Sequence, residues 1–448
     1  MNNSNEYPRV LVVSSSVFNK YAGTGVTLSN LFRNWPKDRL SMIHSDVMFN
    51  PDEEICDNYY YHGYDDRYII GLQNLIKYLK WIGKKFPFYH RPKPLKSDQL
   101  HSNSSSPKDR VLNNPLFKSL KFVFGDLEPF TRIGISKELE KWLGEFDPDI
   151  IYSPISTISN MAFVLKISHL TSSKIALHFM DDWPSVKYKD GLMAPILQVK
   201  MQSILKKILK QANIRICIGQ SMCDEYKSRY GYTFTPFSSP AEPKLWKKYN
   251  SKTKRKTTEF KIVYIGTFNS KNIETITKIS HAVNELFRGG RNVRMEIYSF
   301  QPRVEIYRHQ FEHEGSVTVN EVPATLNEFR ALLSSGNVVV IPLDYTKESI
   351  ERMRLSFFTK IPAYMLSGSP ILLCGPEDIG VVKQAKGEGW AYVISEDSID
   401  AIKMGIIELM DDPSMREIIV AKSIEIATSK HDAIIVRESF RRELAAAI

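Results

Sequence analysis

Mostly apolar stretches at residues 9–15, 40–44, 214–218, 260–265, 337–342 and 371–374 are each bounded by polar or turn residues. Runs of four to seven residues without alternation predict strands buried on both faces, the pattern of a parallel sheet. Residues 147–153, 174–180, 293–298 and 316–319 add four more strands. Between them the apolar period lengthens to that of helices, as at 192–211, with Lys200, Lys206, Lys207 and Lys210 on its polar side, and at 221–231, where Ser221 reads as a cap and Gly231 as a stop. The order strand, glycine-bearing loop, helix opens the chain at 9–32 and recurs at 260–272. Periodicity is lost and lysines accumulate from 236 to 259, which reads as a linker.

These patterns predict an α/β protein of two doubly wound, Rossmann-like domains facing across a cleft. The expected divisions are 1–240 with a basic helical insertion at about 60–145, a linker at 241–259, a second domain at 260–430, and a tail at 431–448. A length of 448 residues suits two or three domains.

Charge changes one part of this picture. The net charge is +10, and the stretch 77–121 holds eleven Lys and Arg against Asp98 and Asp109. Lysines there alternate with bulky apolar residues around Trp81, which suits an anionic membrane surface; an inward aromatic face with outward lysines is the competing reading. Prolines and Ser102–Ser106 predict a mobile loop at 90–109. No nucleic-acid motif accompanies the basic block. Cys56, Cys217, Cys223 and Cys374 show no metal or redox spacing, and the start lacks the basic and apolar regions of a signal peptide, so a cytosolic protein is expected, peripheral on a membrane at most. No apolar run reaches the length of a membrane span.

Candidate chemistry gathers at strand ends. Gly23, Thr24 and Gly25 form a loop after the first strand, but Leu28 stands where a third glycine would complete a dinucleotide fingerprint, so a nicotinamide cofactor is unsupported. His178, Asp181 and Asp182 follow the strand at 174 and are expected to face the cleft, the histidine accepting a proton with a carboxylate fixing its tautomer. The bland alternative is a half-buried histidine with Asp182 as a helix cap. Gly266 and Thr267 are placed to lie against a phosphate, with Lys271 adding charge. In the run 356–376, Ser356 and Thr359 read as caps of a short helix that tolerates Pro362 in its first turn; Lys360 sits by that helix's free amides, Gly368 makes a tight turn, and 371–374 is a strand. A cation at that place suits a diphosphate, the alternative being a surface lysine on an ordinary connection. Arg354 and Arg352 are further phosphate candidates.

The run 356–371 resembles the donor-site signature of GT-B glycosyltransferases of the family 4-like group, where a Ser-x-Pro-Thr-Lys loop precedes Glu-Tyr-Met-Ala-Ser-Gly-x-Pro-Ile. Ser356, Thr359, Lys360, Tyr364, Met365, Ser367, Gly368, Pro370 and Ile371 match. Phe358 replaces the proline, and Ala363 the glutamate that commonly holds the ribose. His178, Trp183 and Pro184 resemble a His-Asp-x-Trp-Pro motif of the same group, with the acidic place open between Asp181 and Asp182. The resemblance implies a retaining, metal-independent glycosyltransferase that takes a nucleotide diphosphate-sugar as donor, needs no cofactor, and serves a glycan or lipid-linked acceptor in surface polysaccharide synthesis. It also implies a C-terminal helix, 433–446, crossing back onto the first domain. A nucleotide-sugar epimerase or phosphorylase on the same fold, and a non-catalytic glycan-binding subunit, are the alternatives.

Overall fold

The computed structural model describes residues 7–20, 23–46, 49–62, 67–69, 128–250 and 259–448. The basic block 77–121, the helix expected around Trp81 and the loop expected at 90–109 lie outside these residues. The chain divides into two compact units, one running to Phe237 and including Arg437–Ile448, the other Ser238–Val436.

The first unit is built on a seven-stranded parallel sheet. Its strands are β1 (Val10–Ser14), β2 (Leu40–His44), β3 (Asn58–Tyr61), β6 (Ile150–Ser153), β7 (Lys174–Phe179), β8 (Ile214–Cys217) and β9 (Thr235–Pro236), in the order β3-β2-β1-β6-β7-β8-β9. β4 (Arg67–Ile69) and β5 (Thr131–Ile133) form a separate antiparallel ladder within the span expected to be a helical insertion. The apolar runs seen in the sequence are the central strands: β1, β2 and β6 are buried at every position, because helices cover both faces of the sheet. Phe440, in the helix Ala433–Ala445, packs edge-on against Phe32, Tyr152 and Phe237 with ring centroids 5.2 to 5.6 Å apart.

The second unit carries a six-stranded parallel sheet of β10 (Phe260–Ile265), β11 (Val293–Ser299), β12 (Val317–Glu321), β13 (Val338–Pro342), β14 (Ile371–Cys374) and β15 (Tyr392–Ile394), ordered β12-β11-β10-β13-β14-β15. In both sheets the order runs outward in two directions from one pair: β1/β6 in the first, β10/β13 in the second. Connections leave that pair to opposite sides, which opens a crevice beyond the strands' carboxyl ends where ligands bind in such sheets.

Local chemistry sets the helix ends, with some departures from expectation. Ser136, Thr157, Thr325 and Ser398 each accept an amide hydrogen bond as helix caps. Ser221 lies inside its helix, Gln220–Tyr230, which begins after Gly219; Gly231 closes it in the left-handed region at φ 76°. The stretch expected to be linker contains a helix, Pro243–Asn250, in which Trp246 and Tyr249 are buried. An apolar pair within a lysine-rich eight-residue segment left too little period to read. Among the described residues no helix is long and apolar enough to cross a membrane.

Candidate functional site

At the β10/β13 switch point of the second unit, the loops leaving the two strands are stitched together. Asp344 donates its amide to the Lys271 carbonyl at 2.8 Å, the Thr275 hydroxyl donates to the Leu343 carbonyl at 3.0 Å, and the Ser349 hydroxyl donates to the Ser270 carbonyl at 2.9 Å. The Asp344 carboxylate is buried and accepts the amides of Thr275 at 2.8 Å and Glu274 at 3.4 Å, at the start of the helix Ile273–Arg288. Burial raises its pKa, and the Thr275 amide works against that rise. That helix's N-terminus is therefore filled by the chain's own carboxylate.

What stands open beside it is a cation. The Lys360 ammonium lies 4.8 Å from the centre of the Tyr264 ring and 5.4 Å from that of Tyr364, and 3.2 Å from the point where a side chain at residue 266 would begin. Among the described residues it has no carboxylate partner and no hydrogen-bond acceptor. Loss of solvent lowers its pKa to about 8. Both flanking rings are held by their hydroxyls. Tyr264 donates to the Thr267 carbonyl at 3.2 Å and accepts from Asn272 at 3.0 Å. Tyr364, fully buried, donates to the Ile265 carbonyl at 2.8 Å and accepts its amide at 3.2 Å. Tyr364 thus ties the helix Ile361–Met365 to the end of β10 and positions Lys360, rather than presenting its own hydroxyl to a ligand. Gly266 is required by space: a Cβ there would sit 2.7 Å from the Tyr264 hydroxyl.

The other donor-side candidates divide. The Gly266 amide is already bonded to the Tyr298 carbonyl at 3.0 Å, so it does not serve a phosphate. Thr267 is exposed, Lys271, Thr359 and Arg354 are half-buried, and the Lys271 amide is bonded to Asn269 at 2.9 Å. Ser356 does not cap the helix; its amide bonds to the Met353 carbonyl at 2.8 Å and its hydroxyl reaches the Arg352 carbonyl at 3.5 Å. Lys360 itself is the residue before that helix, which spans only five residues and has no side-chain cap. So short a helix carries little dipole, and the site's positive potential rests on the lysine. Arg352 pairs with Glu348 at 2.9 Å on the surface.

In the first unit the expected acid–base group is relocated. His178 is fully buried in β7, its Nδ1 hydrogen-bonded to the Tyr152 hydroxyl, and burial lowers its pKa to about 3 with the Phe237 backbone opposing. An imidazole with no exposed atom takes no proton from a diffusible acceptor, so that assignment is corrected. Asp182 is also buried. It accepts from the Tyr226 hydroxyl at 2.8 Å and from both terminal nitrogens of Arg229 at 2.9 and 3.2 Å, which binds the turn after β7 to the helix Gln220–Tyr230. It caps no helix amide with its side chain. Asp181 remains exposed at the strand's end. Gly23 begins the helix Gly23–Phe32 with φ 61°, and Thr24 is half-buried. Gly25 faces its own chain: a Cβ would meet the Val17 carbonyl at 2.3 Å and the Asn19 side-chain Nδ2 at 1.9 Å, so this glycine admits the preceding loop rather than a ligand.

No protein-family model matches this chain, and no curated relative does. Solved structures resemble it along nearly its whole length. HepE of Anabaena in complex with UDP superposes with a TM-score of 0.62 at 12% identity, over 98% of this chain and 100% of that one. Sucrose-phosphate synthase of Thermosynechococcus elongatus gives 0.58 at 13% identity over 98% and 100%. The UDP-forming α,α-trehalose-phosphate synthase of Burkholderia vietnamiensis gives 0.57 at 11% identity, again over 98% and 100%.

The chain has a GT-B fold.

In this GT-B chain the residues that sequence reasoning missed are Tyr264, Asn272, Asp344 and Arg229. Only Asp344 left a usable signal, an acid directly after a fully apolar strand. Tyr264 sat inside an apolar run and read as core, which it also is. The arrangement is suited to holding an anion without moving a proton: one partly desolvated ammonium is fixed between two rings, at the carboxyl edge of a switch point. Among the described residues no group of three or more His, Cys, Asp or Glu side chains is placed to hold a metal ion.

Proposed function

We propose that this chain is a glycosyltransferase that binds a nucleotide diphosphate-sugar through its second unit and transfers the sugar to a hydroxyl of a glycan or lipid-linked acceptor bound through its first. The observation that carries the reading is the Lys360 ammonium, which lies beside Gly266 and has no carboxylate partner among the described residues. A partly desolvated cation with no counter-ion among the described residues favours an anionic ligand, and it does so most strongly when charge builds on a departing diphosphate. Lys360 neutralises that diphosphate. Lys271 and Arg354, on the loops around the same switch point, and the amides of Thr267 and Thr359 supply further contacts.

Charge stabilisation by the protein itself supports a metal-independent reaction, and a retaining outcome follows from the resemblance of 356–371 to its group. HepE of Anabaena has been solved with UDP-glucose, which makes a uridine nucleotide the first donor to try. With His178 withdrawn, Asp181 is the remaining candidate of its cluster on the acceptor side.

The test is a panel of nucleotide-sugars read by thermal shift, followed by mass-spectrometric detection of transfer. Lys360→Ala is expected to lower nucleotide affinity and turnover together, and turnover undiminished in that variant would remove the assignment. Ala363, where the resembling group has its ribose-holding glutamate, favours one second reading. Nucleotide binding without transfer to any acceptor would mark a non-catalytic GT-like subunit.

A further inference from the structure

The helix Ala194–Gln211 of the first unit has an outer face unlike that of an ordinary covering helix. Its inner positions, Ala194, Leu197, Met201, Leu205 and Ile208, are buried. The opposite stripe recurs at the same helical spacing through Ile196, Val199, Ser203, Lys206 and Lys210, with Lys207 beside it. Ile196 is 60% exposed, Val199 71%, and Leu192 in the preceding turn 68%. Three large apolar side chains therefore stand in water at one end of the stripe, and lysines stand at the other. Residues 191–211 hold four lysines and not one acid. Lys200 is bonded to the Pro129 carbonyl at 2.5 Å, while Lys206, Lys207 and Lys210 have no acidic partner among the described residues.

A solvated helix face gains nothing from Leu, Ile and Val, and it ordinarily mixes both signs of charge. An apolar patch continuous with an all-cationic stripe matches one surface in both respects, a lipid interface with anionic head groups. There the aliphatic side chains enter the acyl boundary while lysines meet the head groups. We propose that the outer face of Ala194–Gln211, with Leu192, docks this unit on an anionic membrane. The helix is 18 residues long, about 27 Å at 1.5 Å per residue, enough to lie along the interface and not arranged to cross it. This helix lies outside the basic stretch 77–121 in the sequence, and the inference does not rest on the transferase reading.

The experiment uses the full chain and vesicles of phosphatidylcholine, with and without about 30% phosphatidylserine, a composition that sets the surface potential. Wild type is expected to co-sediment with anionic vesicles and to be released by salt. The triple variant Lys206→Gln, Lys207→Gln, Lys210→Gln should bind about 100-fold more weakly, at about fivefold per lysine. Ile196→Ser with Val199→Ser should lose at least about 10-fold. Every substituted side chain is exposed, so melting temperatures should not change. As a second readout, the fluorescence of Val199→Trp should shift blue and be quenched by brominated lipid. Anionic-vesicle binding unchanged in both multiple variants would overturn the proposal, including the case in which neutralising 77–121 abolishes it. It would also be overturned if Ile196→Ser with Val199→Ser converted a dimer to a monomer without changing vesicle binding, since a second copy would then be the occupant.

Discussion

Replacing Lys360 with methionine separates what the lysine does for the fold from what it does for a ligand. The ordinary lysine pKa is 10.5, and the folded environment lowers it to about 8. At about 1.4 kcal/mol per unit this corresponds to about 3 kcal/mol of strain for a fully buried group. Lys360 is partly exposed, so solvent screening reduces the figure to about 1 kcal/mol. Below pH 8 both folded and unfolded chains carry the proton, and the cost is fully present. Between pH 8 and 10.5 the unfolded chain holds the proton while the folded chain releases it, so wild-type stability rises with pH across that window. Lys360→Met should therefore melt about 2–4 °C above wild type at pH 7 for a unit of this size, with the gap closing toward pH 10.5. The same variant should bind inorganic pyrophosphate about 100-fold more weakly at pH 7, less than the full value of a unit charge at 4 Å near a protein surface. Wild-type binding should itself weaken as pH rises through 8, with proton uptake visible as a buffer-dependent enthalpy in calorimetry. A variant less stable than wild type at neutral pH, or one that binds pyrophosphate unchanged, would refute the argument.

Gly266→Val should displace the Tyr264 hydroxyl and the Lys360 ammonium, which stand 2.7 and 3.2 Å from the new Cβ, and lower pyrophosphate affinity at least about 10-fold, as read by titration. Asp182→Asn removes the buried carboxylate from Arg229, which keeps Glu225 at 2.8 Å, and should cost about 1–2 kcal/mol in denaturant unfolding of the first unit; no measurable loss would show that the pair is not structural. Because His178 has its pKa lowered to about 3, the unfolded chain binds a proton below pH 6.5 that the folded chain refuses. Stability should fall by about 1.4 kcal/mol per pH unit from that group as pH drops from 6.5 toward 3. His178→Gln should flatten this acid limb in melting curves, and the pH profile of any transfer reaction should show no His178 limb near neutrality.

The order of chemistry along the chain was legible before any coordinates. β13 and β14 are apolar throughout, and β1, β2 and β10 are broken only by Ser14, Ser41, His44 and Lys261, because a parallel sheet covered on both faces accepts few polar groups; their alternation with helical periods implies two doubly wound units. Gly231 and Gly368 marked left-handed turns that only the backbone conformation had to satisfy. Lys360 stood out for a local reason as well, a cation directly before Ile361-Pro362 and a tight turn.

Tertiary structure decided which polar groups were free to act. In a strand buried on both faces, the residue pattern does not tell whether a histidine ends in the core or at its edge; the Tyr152 hydroxyl, 26 residues away, settled His178 in the core. Asp182 found its partner 47 residues on, at Arg229, and Asp344 reached back about 70 residues to cap a helix. Such pairings depend on how strands are ordered across a sheet, which short-range pattern does not encode. Local sequence therefore determined where strands, helices and turns would form, while long-range packing determined which charges were already spent on the fold and left Lys360 with its solvent reduced and, among the described residues, no carboxylate beside it.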